Sequence, residues 1–203
     1  MLNSTFVYLL ILVFSISLSG CKDVTALGIK PTFISVKPKA ILDVWGEGRI
    51  QSENGIVSGF DGAWNINHVE QNISNGPYAG DDIPNQLPIS NYDDPHFPIE
   101  DSVFSYITLM GAPLYYNTAK EVLRVAKDGA RIFLYQAPNQ FIDNLMNAAG
   151  SMRGVSVEEI RNGIPVTLLA EPFNQIRLNS QENTPVWVFV VKKEKRFCLC
   201  FIE

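Results

Sequence analysis

Two strands joined by a helix and very short connections constrain the fold of this chain more than any other stretch. Residues 102–110, SVFSYITLM, alternate and then become continuously apolar, which predicts a strand. The next stretch, YNTAKEVLRVAKDGARIFLYQ (residues 116–136), predicts a helix and then a strand over residues 130–135. Thr118 opens a capping-box pattern, and Gly129 is placed to end the helix. A strand, helix and strand in this order require parallel pairing with a right-handed crossover.

Further elements on both sides extend this unit into a sheet. Hydrophobic patterns predict strands at 40–44, 56–60, 87–92, 165–173 and 184–193, and helices at 138–150 and 156–163. The last two strands form an antiparallel pair at the edge of the sheet. This order predicts an α/β fold with a doubly wound, Rossmann-like sheet, mostly parallel with an antiparallel last strand, and with helices on both faces.

The N-terminal segment has the pattern of an export signal. An apolar core runs from Phe6 to Leu18 and is too short to span a bilayer comfortably. It closes with LSGC, residues 18–21, in which small residues let a peptidase approach the backbone and Cys21 supplies a thiol for lipid attachment. This segment resembles the lipobox of bacterial lipoproteins.

These features divide the chain into a signal peptide (1–20), a lipid-anchored tether (21–31), a folded domain (32–193) and a C-terminal tail (194–203). The expected location is the cell envelope, where lipid on Cys21 holds the exported protein on a membrane. The alternative is an uncleaved inner-membrane signal anchor that keeps the domain in the cytoplasm.

Charge and composition exclude several partners. The net charge of −5 provides no basic field for a polyanion, and the dense positive run KKEKR is short, so no nucleic acid partner is expected. Beyond Cys21 there remain Cys198 and Cys200, and the chain has only two histidines. Metal binding would need further soft ligands, so no metal site is expected.

Residues 93–134 carry a resemblance to a known family. An apolar-Pro-apolar-acidic run precedes the 102–110 strand, and the following helix contains Leu-Arg-Val-x-Lys-x-Gly-x-Arg. With the order of segments over residues 40–193, this resembles class I S-adenosylmethionine-dependent methyltransferases. Ser105 and Asp128 stand where most members have Asp and Pro. The resemblance implies S-adenosylmethionine as the cofactor.

The resemblance also implies a glycine loop after the first strand, because the cofactor lies close to the backbone there. Asp43, Gly46 and Gly48 occupy that place, with Trp45 and Arg49 where glycines are usual. The alternative is an ordinary strand-to-turn junction.

Three further residues are implied as cofactor contacts. Asp61 would end the second strand and accept hydrogen bonds from the ribose hydroxyls. Asp94 would end the third strand and bind the adenine amino group, with Asp93 as the competing choice. Phe97 would contact the ring. The alternatives are a turn at Asp61 and a solvated loop acid at Asp94.

The catalytic residues are not identified by the sequence. GAPLYY, residues 111–116, keeps Pro113 and Tyr115 of an amine-methylating motif but lacks its amide or acid. His68 and His96 are candidate bases, although loop histidines are more often surface residues. The expected function is a membrane-anchored lipoprotein with a methyltransferase-like domain acting on a small-molecule or protein substrate. The alternative is an inactive binding or interaction module, or a secreted effector, on the same fold.

Cys21→Ser is expected to remove lipid attachment, because a serine hydroxyl does not replace the thiol. Cells that express parent or variant would be labelled with a fatty-acid analogue, with Cys198→Ser as the matched control. Equal label in parent and Cys21→Ser would contradict the lipoprotein hypothesis.

Overall fold

The computed structural model describes residues 41–46, 63–67, 72–73, 79–83, 85–89, 91, 94–110, 112–170, 172–175 and 183–194. All of them lie in Phe33–Glu203, one of two compact units into which the chain divides. The predicted signal peptide and tether lie outside these residues, as do Gly48 and Asp61. The predicted domain boundaries therefore stay predictions.

Seven strands form one sheet. The elements, in chain order, are β1 (Ile41–Val44), β2 (Ala63–Asn67), β3 (Gln86–Pro88), β4 (Phe104–Met110), α1 (Tyr116–Val125), β5 (Ala126–Tyr135), α2 (Asn139–Ser151), β6 (Val155–Pro165) and β7 (Pro185–Lys193). The strand order is β3-β2-β1-β4-β5-β7-β6. Pairs among β1 to β5 are parallel, and β7 is antiparallel to both of its neighbours. The predicted fold class is confirmed, and so are the predicted strands at β1, β4, β5 and β7.

Alternating side chains divide the core between the two faces of the sheet, as the two-residue period of a strand requires. Leu42, Ile107 and Ile132 face the cluster that contains α1 and α2. Ile41 and Phe133 face the opposite cluster, where two 3-10 turns, Val166–Leu168 and Phe173–Gln175, contribute apolar side chains. Within the described ranges, no helix combines the length and apolarity needed to cross a membrane.

The prediction was wrong for the segment before β7. Residues 156–163 form strand β6 rather than a helix, and residues 165–173 contain 3-10 turns rather than a strand. β6 is an edge strand that departs from regular pairing on both sides of Arg161. Its charged residues are exposed and its apolar residues only half-buried. Bulges and charges of this kind protect a sheet edge, and they also mask the two-residue period of a strand.

Helix α1 begins without the predicted capping box. Its N-cap is Tyr115, which makes no side-chain capping bond, and Thr118 is fully buried within the first turn. The helix ends at Val125 rather than at Gly129. β5 follows immediately and departs from regular pairing with β4 before Arg131. Gly129 has a φ of 76° there, so it serves the bulge and not the helix end.

The loop before β4 is held by Arg124 near the end of α1. The guanidinium donates to Glu121 at 2.7 and 2.8 Å, to Asp101 at 2.8 Å, and to the carbonyl oxygens of Phe97 and Ile99 at 2.9 and 2.7 Å. Burial lowers the pKa of Arg124, but the hydrogen bonds to Glu121 and Asp101 outweigh it and raise the pKa above its ordinary value. One side chain therefore joins α1 to the loop 97–101.

Replacement of Arg124 by Met should lower the free energy of unfolding by about 2–4 kcal/mol, because two carbonyl oxygens lose their donor and Glu121 keeps the N–H of Phe97 but loses the guanidinium. Arg153→Met is the control, since Arg153 is exposed. Urea unfolding of both variants would measure the difference. Equal stabilities would show that the Arg124 bonds only replace bonds to water.

Candidate functional site

The parallel strands β1 to β5 share one carboxyl edge, and open α/β sheets bind ligands at that edge. β1 is followed there by Trp45 and Gly46, and β4 by the loop that leads to Tyr115. Asn144 of α2 donates to the carbonyl oxygen of Leu114 at 2.8 Å and fixes that loop. This edge therefore combines the predicted glycine loop with a loop held by a helix.

A row of buried polar side chains crosses the sheet near this edge. Asp43 of β1 is paired in register with Asn65 of β2 and Thr108 of β4, and all three are at most 4% exposed. Thr108 Oγ1 donates to Asp43 Oδ1 at 2.8 Å. Asn67, which ends β2, is also buried. A sheet interior normally excludes polar groups, so a row of them indicates a functional constraint.

Gly46 lies directly against the Asp43 carboxyl group. A Cβ added at Gly46 would overlap that carboxyl group, and even the farther oxygen, Oδ1, would lie at only 2.8 Å. The chain therefore folds back over the carboxylate, and only a residue without a side chain fits there. The close approach is the reason for glycine here. A positive φ is not, since that backbone conformation belongs to the preceding residue, Trp45.

Trp45 takes the left-handed turn at the end of β1, with a φ of 57°. This conformation costs an L-residue roughly 1–2 kcal/mol, whereas glycine adopts it readily. The indole is buried and meets the Phe97 ring edge-on, with centroids 6.4 Å apart. Phe97, predicted as a ring contact of the cofactor, is itself fully buried.

The predicted strand at 56–60, with Asp61 at its end, lies outside the described residues, and the predicted end of the third strand was misplaced. β2 begins at Ala63, so its last residue is Asn67, and Asp61 precedes the strand in the chain. β3 ends at Pro88, and Asp94 lies in the loop beyond it, exposed, with its N–H donating to Asn91 Oδ1 at 3.2 Å. The prediction missed Asn67, although the alternation in AWNIN, residues 63–67, is the signal that could have located it.

The last residue of β5 faces the same polar row. Burial raises the pKa of Tyr135 well above its ordinary value, and the negative charge of Asp43 adds to the effect. The Tyr135 hydroxyl donates to the carbonyl oxygen of Phe173 at 2.9 Å. The candidate base His96 is exposed, with Nδ1 at 3.4 Å from a carboxylate oxygen of Glu121. In the part of the chain that the structure describes, three or more potential metal ligands do not come together.

No protein-family model and no curated protein matches this chain. Among solved structures, a mutant 16S rRNA (adenine(1408)-N(1))-methyltransferase from Catenulisporales acidiphilia is similar, with 15% identity over 78% of this chain and 89% of that chain and a TM-score of 0.47. A putative methyltransferase from Thermoplasma acidophilum has 18% identity over 80% of this chain and 71% of that chain, with a TM-score of 0.41. These similarities concern the fold alone. The strand order and the antiparallel β7 are those of a Rossmann-like methyltransferase fold.

Gly46→Ala should lower the free energy of unfolding by about 1–3 kcal/mol, because the added Cβ meets a short, buried side chain. In an Asp43→Ala background the same change should cost much less, since the overlapping atoms are gone. Gly150→Ala is the control, because a Cβ at that helical position meets nothing within 4 Å. Urea unfolding measures all four variants, and equal costs in the two backgrounds would contradict the close approach.

Proposed function

We propose that this domain binds S-adenosylmethionine at the carboxyl edge of the sheet and transfers its methyl group to a small-molecule or protein substrate. The observation that carries the proposal is the buried carboxylate of Asp43 with Gly46 folded over it. The family resemblance implies this combination for a cofactor loop. It consists of an acidic residue at the end of the first strand, followed by a required glycine.

The residues at this edge fit such a cofactor. Asp43, Asn65 and Asn67 carry carboxylate and amide groups, the types that suit the hydroxyl and amino groups of a nucleoside with an amino-acid arm, and binding would exchange some of their present hydrogen bonds. Gly48, Asp61, Asp94 and Phe97 remain predicted contacts. The cofactor supplies an electrophilic methyl group, and the protein contributes positioning and exclusion of water.

The proposed setting is a membrane surface. The LSGC sequence supports lipid attachment at Cys21, and each buried methylene of an acyl chain contributes about 0.8 kcal/mol to membrane binding. The predicted tether, residues 21–31, would join the lipid to the domain. The alternative, a signal anchor that faces inwards, would give the domain access to an intracellular cofactor.

A second candidate function is a binding module that has lost methyl transfer. Trp45 favours it, because this large side chain stands where the family usually has the first glycine. The close approach at Gly46 would then serve a ligand that is held without reaction, or only the turn itself.

Calorimetric titration of the full chain in detergent with S-adenosylmethionine should show saturable binding. Asp43→Asn should weaken binding at least tenfold, because it removes a charge-assisted acceptor worth about 1.5–3 kcal/mol while it keeps the side-chain volume. Asp61→Ala should weaken binding by a similar factor if Asp61 holds the ribose. Asp101→Asn is the control, since Asp101 lies before β4, at the opposite edge of the sheet.

Absence of saturable binding by the parent chain at millimolar cofactor would refute the cofactor proposal and leave the binding module. Binding without transfer of labelled methyl groups to cell-envelope extracts would favour that module as well.

A further inference from the structure

The connection between β6 and β7 lies at the same edge as the polar row. β6 runs in the direction of β5, since both are antiparallel to β7. β6 therefore ends, and β7 begins, at the carboxyl edge. The N–H of Val166 donates to the carbonyl oxygen of Thr184 at 2.9 Å, which closes the base of the connection. We call its described residues, 166–170 and 172–175, the cover segment.

Aromatic packing seats the cover segment on the face that carries Asp43. The Phe173 ring stacks on Phe133, with ring centroids 4.1 Å apart and an interplanar angle of 10°. It also packs against the Tyr106 ring, with centroids 5.1 Å apart. Phe133 is the register partner of Thr108, the residue that donates to Asp43. Phe173 therefore lies over the strand position next to the polar row.

One hydrogen bond, from Tyr135, accompanies this aromatic packing. Tyr135 is 1% exposed, and its hydroxyl donates to the carbonyl oxygen of Phe173 at 2.9 Å. Burial, and after it the charge of Asp43, raises the pKa of Tyr135, which favours the protonated phenol that donates this bond. Tyr135 thus lies within the electrostatic influence of Asp43 and also bonds the backbone of the cover segment.

We propose that Tyr135 is a positioning residue whose hydroxyl holds the cover segment over the Asp43 face, so that the segment encloses the bound cofactor and slows its release. This inference rests on the proposed function. Stacked rings resist separation but tolerate sliding, whereas a hydrogen bond to one carbonyl oxygen fixes the position of the 3-10 turn along the sheet. Val166 is buried in the core and Leu169 packs against it. The turn at Phe173, held by its two ring contacts and by this hydrogen bond, is the part of the segment that can open without disturbing the strands beneath it.

Tyr135→Phe in the full chain tests the inference, because it removes the hydroxyl and keeps the ring. Amide hydrogen exchange of the cover segment without ligand should accelerate about three- to tenfold, as expected for loss of one hydrogen bond. The dissociation rate of S-adenosylhomocysteine should rise by a similar factor, with little change in the association rate. Tyr116→Phe is the control, since Tyr116 is exposed on α1, and neither quantity should change.

Unchanged exchange in the cover segment would overturn the inference, and so would an equal increase over α1 and β7, which would show general destabilisation. An unchanged dissociation rate would overturn the role in enclosing the cofactor. If the parent chain binds neither S-adenosylmethionine nor S-adenosylhomocysteine, the proposed function fails and the enclosing role fails with it. The exchange measurement, which needs no ligand, then still decides whether Tyr135 anchors the segment.

Discussion

The carboxyl group of Asp43 is buried on β1, which lies between β2 and β4, and the residues around it accommodate its charge. Withdrawing a carboxylate from water costs several kcal/mol unless hydrogen bonds replace the lost hydration. Thr108 supplies a donor from the neighbouring strand, and Gly46 allows the backbone to pass over the group. A one-residue slip of β1 would turn Asp43 towards the largely apolar cluster packed against α1 and α2, so this residue also helps to fix the register of the sheet's centre.

Much of the fold could be predicted, because its central elements have strong local patterns. β4, β5 and β7 are apolar enough to indicate strands, and α1 has a clear apolar face. The errors fall where an element is short or lies at an edge. In β6 the exposed Glu158, Glu159 and Arg161 interrupt the strand pattern with a helix-like spacing, and only pairing with β7 identifies the strand. β2 was not predicted, because its five residues follow Asp61-Gly62, which has the composition of a turn.

The site was predictable where its parts are adjacent in the chain. Asp43 and Gly46 lie three residues apart, so a loop motif could connect them. Thr108 bonds Asp43, and Tyr135 comes near its charge, only through the pairing of β1, β4 and β5, which no local pattern reveals. From the sequence, Trp45 could be recognised only as a departure from the glycine that the resembled family usually has there. The structure adds that its backbone has the left-handed conformation that glycine would adopt more easily.

The position of β7 has a consequence for synthesis of the protein. β7 is inserted between β5 and β6, although it follows both in the chain. Until residues 185–193 have left the ribosome, β5 has an open edge and β6 has no strand beside it. A nascent chain with this topology therefore cannot complete its sheet until β7 has been synthesised.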